Sequence, residues 1–232
     1  MTRRTVIRQG WIVSVDPRVG DLRQGDLLIE DGRIAAIAPQ LAVEDAEHID
    51  ARGMIVLPGF IDTHRHTWQT CVRHRYADID PQIYFAEMLG AKGAAFRTED
   101  VYTGTLLGAV SALDGGITTM MDWSHVQNSP EHSDAAVQAL RDAGLRAVFG
   151  HGWPLVEGAS WMFDSRRGHP QDIRRLRRGA APRWRAAPSG WTTCAWRANW
   201  ACARASTWAP TRATRRYARS RRCTPRARWV RT

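Results

Sequence analysis

Two histidines one residue apart, His64 and His66 in the run Pro58-Gly59-Phe60-Ile61-Asp62-Thr63-His64-Arg65-His66, are the side chains best placed to do chemistry. On an extended segment residues two apart point to the same side, so the pair can offer both imidazoles to one cation at the end of a strand. Neutral imidazole suits zinc or iron. Taken alone, such a pair is more often two side chains facing solvent, and the surrounding sequence has to decide. Trp68 and Gln69 follow the pair and can reach a flat heterocyclic ligand, with packing as the other role open to Trp68. His125 and His151 each follow a later predicted strand, where each can line a pocket or serve as a hydrogen-bonded structural histidine. Asp122 can equally cap a loop, and His48, His74, His132 and His169 read as surface residues.

The elements that must position these groups begin with a small β-module. Thr5 to Val15 reads as a strand, Asp26 to Ala38 as a hairpin about Asp31-Gly32, and Met54 to Leu57 as a short apolar strand stopped by Pro58-Gly59. After the histidine pair the pattern changes to alternating strand and helix. A helix is expected from about Glu99 to Leu113, capped by Thr98 and stopped at Gly115-Gly116, with Tyr102, Leu106, Ala109, Val110 and Leu113 on its apolar face. Ile117 to Met121 is the next strand, followed by a helix capped by Ser133 with Ala136, Val137 and Leu140 inward; Gly144 ends it and Arg146 to Phe149 is a third strand. Repeated βα units imply parallel strands joined by right-handed crossovers.

Charge divides the chain. Up to Ile173 there are 16 Lys+Arg against 23 Asp+Glu, a net of −7; from Arg174 on there are 17 Arg and no acidic residue, which turns −7 into the whole-chain +10. That last part also holds six of the 11 Trp, three of the four Cys and none of the eight His. This mixture fits neither globular nor disordered composition. The opening Met1 to Gly10 has no apolar secretory core and no later run approaches a membrane span, so a cytoplasmic protein without membrane contact is expected. Cys71, Cys194, Cys202 and Cys223 lack the paired spacing of a zinc ribbon or a disulfide framework.

The segments G-R-I-A-A-I, D-A-R-G-M-I-V-L-P-G-F-I-D, D-T-H-R-H-T-W-Q-T, D-G-G-I-T-T-M-M-D-W-S-H and G-L-R-A-V-F-G-H-G together resemble the amidohydrolase superfamily, in its cytosine-deaminase-like and chlorohydrolase-like branch, over residues 1 to 173. The resemblance implies an α/β fold: an N-terminal β-sandwich part over 1–57, then over 58–173 the first three strands of a TIM-like (β/α)8 barrel whose C-terminal loops carry the site. It also implies that His64 and His66 ligate a divalent metal, zinc or iron, that activates water against an electron-poor carbon of a small heterocyclic substrate. Further ligands in the family come from later strands, beyond the readable part. Homodimers are common in the family, although no residue here derives one.

Residues 174–232 depart from the family, and their composition suggests translation of G+C-rich DNA in a displaced frame. Joining the last base of each codon to the first two of the next over Ala195 to Ala209 forces Leu at Asn199/Trp200 and Gly at Trp200/Ala201 and Trp208/Ala209. The remaining junctions permit a helix running into a strand that ends His-Val-Gly, which is similar to the family's fifth strand. A frameshift near Asp172 to Gly179 is therefore expected, with an irregular or disordered tail, marginal folding of three uncovered strands, and a polypeptide that is inactive as written because two histidines fall short of a catalytic zinc's ligands. The alternative from another class is a nucleic-acid-binding arm, since Arg neutralises phosphate and Trp stacks on bases; the segment shows no recognised motif and no amphipathic stripe, so nucleic acid is the less favoured partner.

Overall fold

In a computed structural model the chain is described over residues 3–157 and 172–179, and for the backbone of 185–186. Two sheets organise it. The first holds β1 (Arg4–Val13), β2 (Asp21–Glu30), β3 (Arg33–Ala38), β4 (Glu47–Asp50) and β5 (Ile55–Val56), in the order β3-β2-β1-β4 with β5 also on β1. β2 and β3 form the expected hairpin. Asp31 and Gly32, at φ 47° and 76°, supply the two left-handed residues that a tight type I′ connection needs. Arg8 stitches this sheet to the following loop: it pairs with buried Asp26 at 2.7 Å and donates to the carbonyls of Leu41 and Val43.

The second sheet is parallel, in the order β6 (Phe60–Arg65), β7 (Ile117–Ser124), β8 (Arg146–His151) and β9 (Arg185–Ala186). The three expected strands are therefore adjacent and parallel, and they account for the mixed α/β class. Between β6 and β7 run a 3₁₀ turn (Thr67–Val72), α1 (Pro81–Tyr84), a π-helical stretch (Phe85–Lys92), α2 (Gly93–Ala95) and α3 (Thr98–Asp114). α4 (Pro130–Asp142) joins β7 to β8. Trp68, Met88, Val101, Met120, Leu140 and Leu145 form the centre of the core between sheet and helices. Phe60 and Ile61 on β6, an outer strand of this sheet among the described residues, are 56% and 69% exposed.

Several local expectations need correction. The cap of α3 is Arg97, whose backbone N–H donates to Asp100 and whose guanidinium pairs with the same carboxylate; Thr98 is the first helical residue. The buried face of α3 is Val101, Gly104, Thr105, Gly108, Ala109 and Ala112, whereas Val110 is exposed. A seam of small residues docks this helix, so apolar periodicity pointed part of a turn away from it. α4 is capped by Ser129 ahead of Pro130, and Ser133 is buried one turn inside, bonded to Gln127. α5 (Asp172–Gly179) is a helix that crosses the expected boundary at 173, held by Arg175 pairing with Asp172 and Asp134. Ordered secondary structure thus continues past 174. Beyond Gly179, apart from the backbone of 185–186, the expectations of a disordered tail and a nucleic-acid-binding arm fall outside the described residues.

Candidate metal centre

β6 ends at Arg65, with His64 inside it and His66 immediately after it, and the two rings come together: Nε2 of His64 and Nε2 of His66 lie 3.3 Å apart. The two rings are held differently. His64 is exposed; its backbone N–H donates to Asp62, which also pairs with Arg65 at 2.7 Å. His66 is half-buried, and its Nδ1 lies 2.7 Å from the backbone carbonyl of Trp123. A carbonyl only accepts, so Nδ1 carries the proton and Nε2 presents its lone pair. Burial holds the His66 pKa down to about 4, partly offset by the bond to Trp123, so the ring is neutral at neutral pH.

Trp68 and His125 form the layer under this pair. Trp68 is fully buried and its indole N–H donates to Nδ1 of His125 at 3.1 Å. His125 stacks on His66, with ring centroids 4.3 Å apart and planes 8° from parallel. Burial, with repulsion from His66 and His64, keeps His125 far below the usual histidine pKa. Gln69 stands to one side, with its amide within hydrogen-bond reach of the Tyr84 hydroxyl. His151 is not brought to the pair's first neighbours: it is buried between α4 and α5, 3.3 Å from Ser133 Oγ and 3.5 Å from Asp172.

Two residues of β7 gain roles that sequence reasoning did not give them. Trp123 supplies the carbonyl that orients His66, and its ring lies 5.0 Å from that of His64. Asp122 is fully buried and accepts the backbone N–H of Thr67 at 3.1 Å, which ties the residue after His66 to the neighbouring strand. A carboxylate inside the apolar run Met120-Met121-Asp122-Trp123 was the available signal for it. Burial raises its pKa to about 6, against the opposing bonds from Thr67. A folded pKa above the unfolded value favours the protonated fold, so this contribution is complete below about pH 4 and is lost as pH rises through 6. Asp122→Asn keeps an acceptor for Thr67 without the buried charge. It should raise stability at pH 7 by roughly 2 kcal/mol and leave it unchanged near pH 4, checked by urea unfolding at the two pH values.

Among the described residues, no group of three or more His, Cys, Asp or Glu converges on one point. The pair itself fits a metal. Two ligands on a tetrahedral zinc with bonds of about 2.0–2.1 Å lie about 3.3 Å apart, which is the spacing of the two Nε2 atoms. The bond of His66 Nδ1 to a carbonyl leaves the Nε2 lone pair free, as binding a cation there would require.

The amidohydrolase family model matches residues 55–205, well over half of the chain. The chain belongs to the amidohydrolase family. The match runs on into the Arg-rich segment, past residue 173. This amidohydrolase is 31% identical over 166 residues to a 5'-deoxyadenosine deaminase of Methanosarcina acetivorans, covering 70% of the chain and 37% of that protein. It is 34% identical over 162 residues to a 5-methylthioadenosine/S-adenosylhomocysteine deaminase of Symbiobacterium thermophilum, covering 68% and 35%. Among solved structures it resembles a variant of atrazine chlorohydrolase from Arthrobacter aurescens TC1 complexed with zinc and atraton, with TM-score 0.58 and 25% identity over 62% of this chain and 35% of that one. The chain spans about a third of the length of the curated relatives it matches. No helix among the described residues is long and apolar enough to cross a membrane.

Proposed function

We propose that this amidohydrolase contributes the first two ligands, His64 and His66, to the divalent metal site of a hydrolase acting on a non-peptide carbon–nitrogen bond of a small heterocycle. The observation that carries the proposal is the convergence of the two Nε2 atoms to 3.3 Å with His66 locked in the ligating tautomer. Zinc or iron both suit imidazole. A divalent cation held there supplies Lewis acidity and lowers the pKa of water towards neutrality. The chain's own residues orient the ligands: the Trp123 carbonyl fixes His66 and Asp62 braces the His64 backbone. The net reaction replaces an exocyclic amine by the oxygen of water, with ammonia leaving, as the names of the deaminase relatives suggest; chloride as leaving group is the variant suggested by the chlorohydrolase neighbour.

Two imidazoles are fewer than the three protein ligands of a catalytic zinc. We therefore expect the chain as written to take up metal without turnover, the remaining ligands belonging to sequence displaced by a frameshift near Asp172 to Gly179. Titrating the 232-residue chain with cobalt(II) tests the first part: a d–d absorption band lost in the double variant His64→Ala/His66→Ala is expected, and its persistence there would place the metal elsewhere. Resequencing the gene over codons 165 to 232 tests the second. An in-frame gene would remove the frameshift and leave the Arg- and Trp-rich segment to be explained.

A further inference from the structure

Around the histidine pair, the side-chain groups enclosed without partners are two indole N–H donors, the Thr67 hydroxyl and one carboxylate oxygen, Oδ2 of Asp122. The indole N–H of Trp123, whose ring lies 5.0 Å from His64, and that of Trp153, whose ring lies 5.5 Å from His125, are both enclosed without an acceptor. His125 offers a third donor, at a nitrogen that is not fully enclosed. Indole nitrogen only donates, so the 3.1 Å contact from Trp68 obliges His125 Nδ1 to accept. The ring proton must then sit on Nε2. Among the described residues the hydrogen bond of His125 is made at Nδ1, so its Nε2–H is left to water or to a ligand that displaces it, with the ring flat against His66. A buried donor without an acceptor costs free energy unless a ligand completes it.

We propose that His125, fixed by Trp68 as its Nε2–H tautomer, is a specificity-determining donor that selects heteroaromatic ligands offering a ring-nitrogen lone pair beside His64 and His66. The proposal deepens the metal-site reading above and rests on it for the position of the ligand. Stacking on His66 keeps the donor at a set distance from that pair, and a ring edge carrying C–H in place of nitrogen would leave the donor unmet. Sites built to hydrogen-bond a group discriminate strongly against ligands that lack it.

The test uses the full 232-residue chain labelled with ¹⁵N, whose long-range proton–nitrogen correlations report which ring nitrogen of each histidine is protonated. The result expected is protonated Nε2 at His125, with a shift of that resonance on adding 4-aminopyrimidine and none with aniline. His125→Phe should weaken 4-aminopyrimidine binding about tenfold, the value of one hydrogen bond, and abolish the preference over aniline, with cobalt(II) titration of the same variant reporting any disturbance of His66. His125→Gln, which can still accept from Trp68 and donate outward, should retain the preference, so unfolding of the phenylalanine variant would not decide the matter. An Nδ1–H tautomer at His125, equal responses to both probes, or no response at His125 to either would overturn the proposal. Loss of cobalt binding with the probe preference intact would instead sink the metal-site reading and leave the donor standing.

Discussion

His66→Ala should lower the chain's affinity for cobalt(II) or zinc on the order of a hundredfold or more and destabilise the fold as well, whereas His64→Ala should cost the affinity alone. Both losses of affinity follow from the pair acting as a chelate: two imidazoles fixed 3.3 Å apart at the end of β6 present the second ligand at high effective concentration, and a single ring does not. The difference in stability follows from surroundings. His66 is half-buried, donates to the Trp123 carbonyl at 2.7 Å and carries the stacked ring of His125. Truncating it leaves that carbonyl without its donor and opens a void under His125, losses on the order of 1–3 kcal/mol. His64 is exposed and its removal leaves the packing in place. Metal titration and urea unfolding on the same two variants separate the effects. Equal destabilisation by both, or unaltered metal affinity in either, would contradict the assignment of ligands.

The pair was legible in the sequence because a period of two on a strand needs no tertiary knowledge, and the hairpin at Asp31-Gly32 was legible because left-handed turn residues announce themselves. What lies beneath the pair was not. That Trp68 points into the core to hold His125, instead of outward to a ligand, depends on where α3 docks, and α3 docks through Gly104, Thr105 and Gly108, residues that an apolar-periodicity search passes over. The helical stretch from Pro81 to Ala95 carries a π segment, whose widened turn blurs the period of 3.6. Ser133 followed the composition of a cap but sits a turn inside α4, because Pro130 fits the first turn and Ser129 precedes it. Asp122 was visible as an oddity in an apolar strand; its partner, the N–H of Thr67, lies 55 residues away and only the parallel pairing of β6 and β7 brings it near.

The same docking seam yields the largest destabilisation expected away from the histidines. Gly104→Ala should destabilise the fold by up to about 2 kcal/mol and weaken metal binding with it. A methyl group at this position would stand 2.4 Å from the carbonyl oxygen of Trp68 and 3.1 Å from its carbonyl carbon. Both are backbone atoms, so no rotamer change relieves the contact, and either α3 or the 3₁₀ turn must move. Overpacking of that kind costs up to about 3 kcal/mol, against which alanine gains roughly 1 kcal/mol over glycine in a helix. The turn that must give way begins immediately after His66, and Trp68 within it positions the ring on which His66 stacks, so strain from α3 reaches the histidine pair through a chain of three contacts. Gly90→Ala is the control, since its methyl would meet only the Phe85 carbonyl oxygen at 3.5 Å and should be tolerated. Thermal unfolding of the two variants, with cobalt titration of each, checks both halves. A Gly104→Ala chain as stable as the parent would mean that α3 and the histidine-bearing turn are not in backbone contact. A destabilised one with unchanged cobalt affinity would mean that the helix supports the fold without setting the geometry of His66.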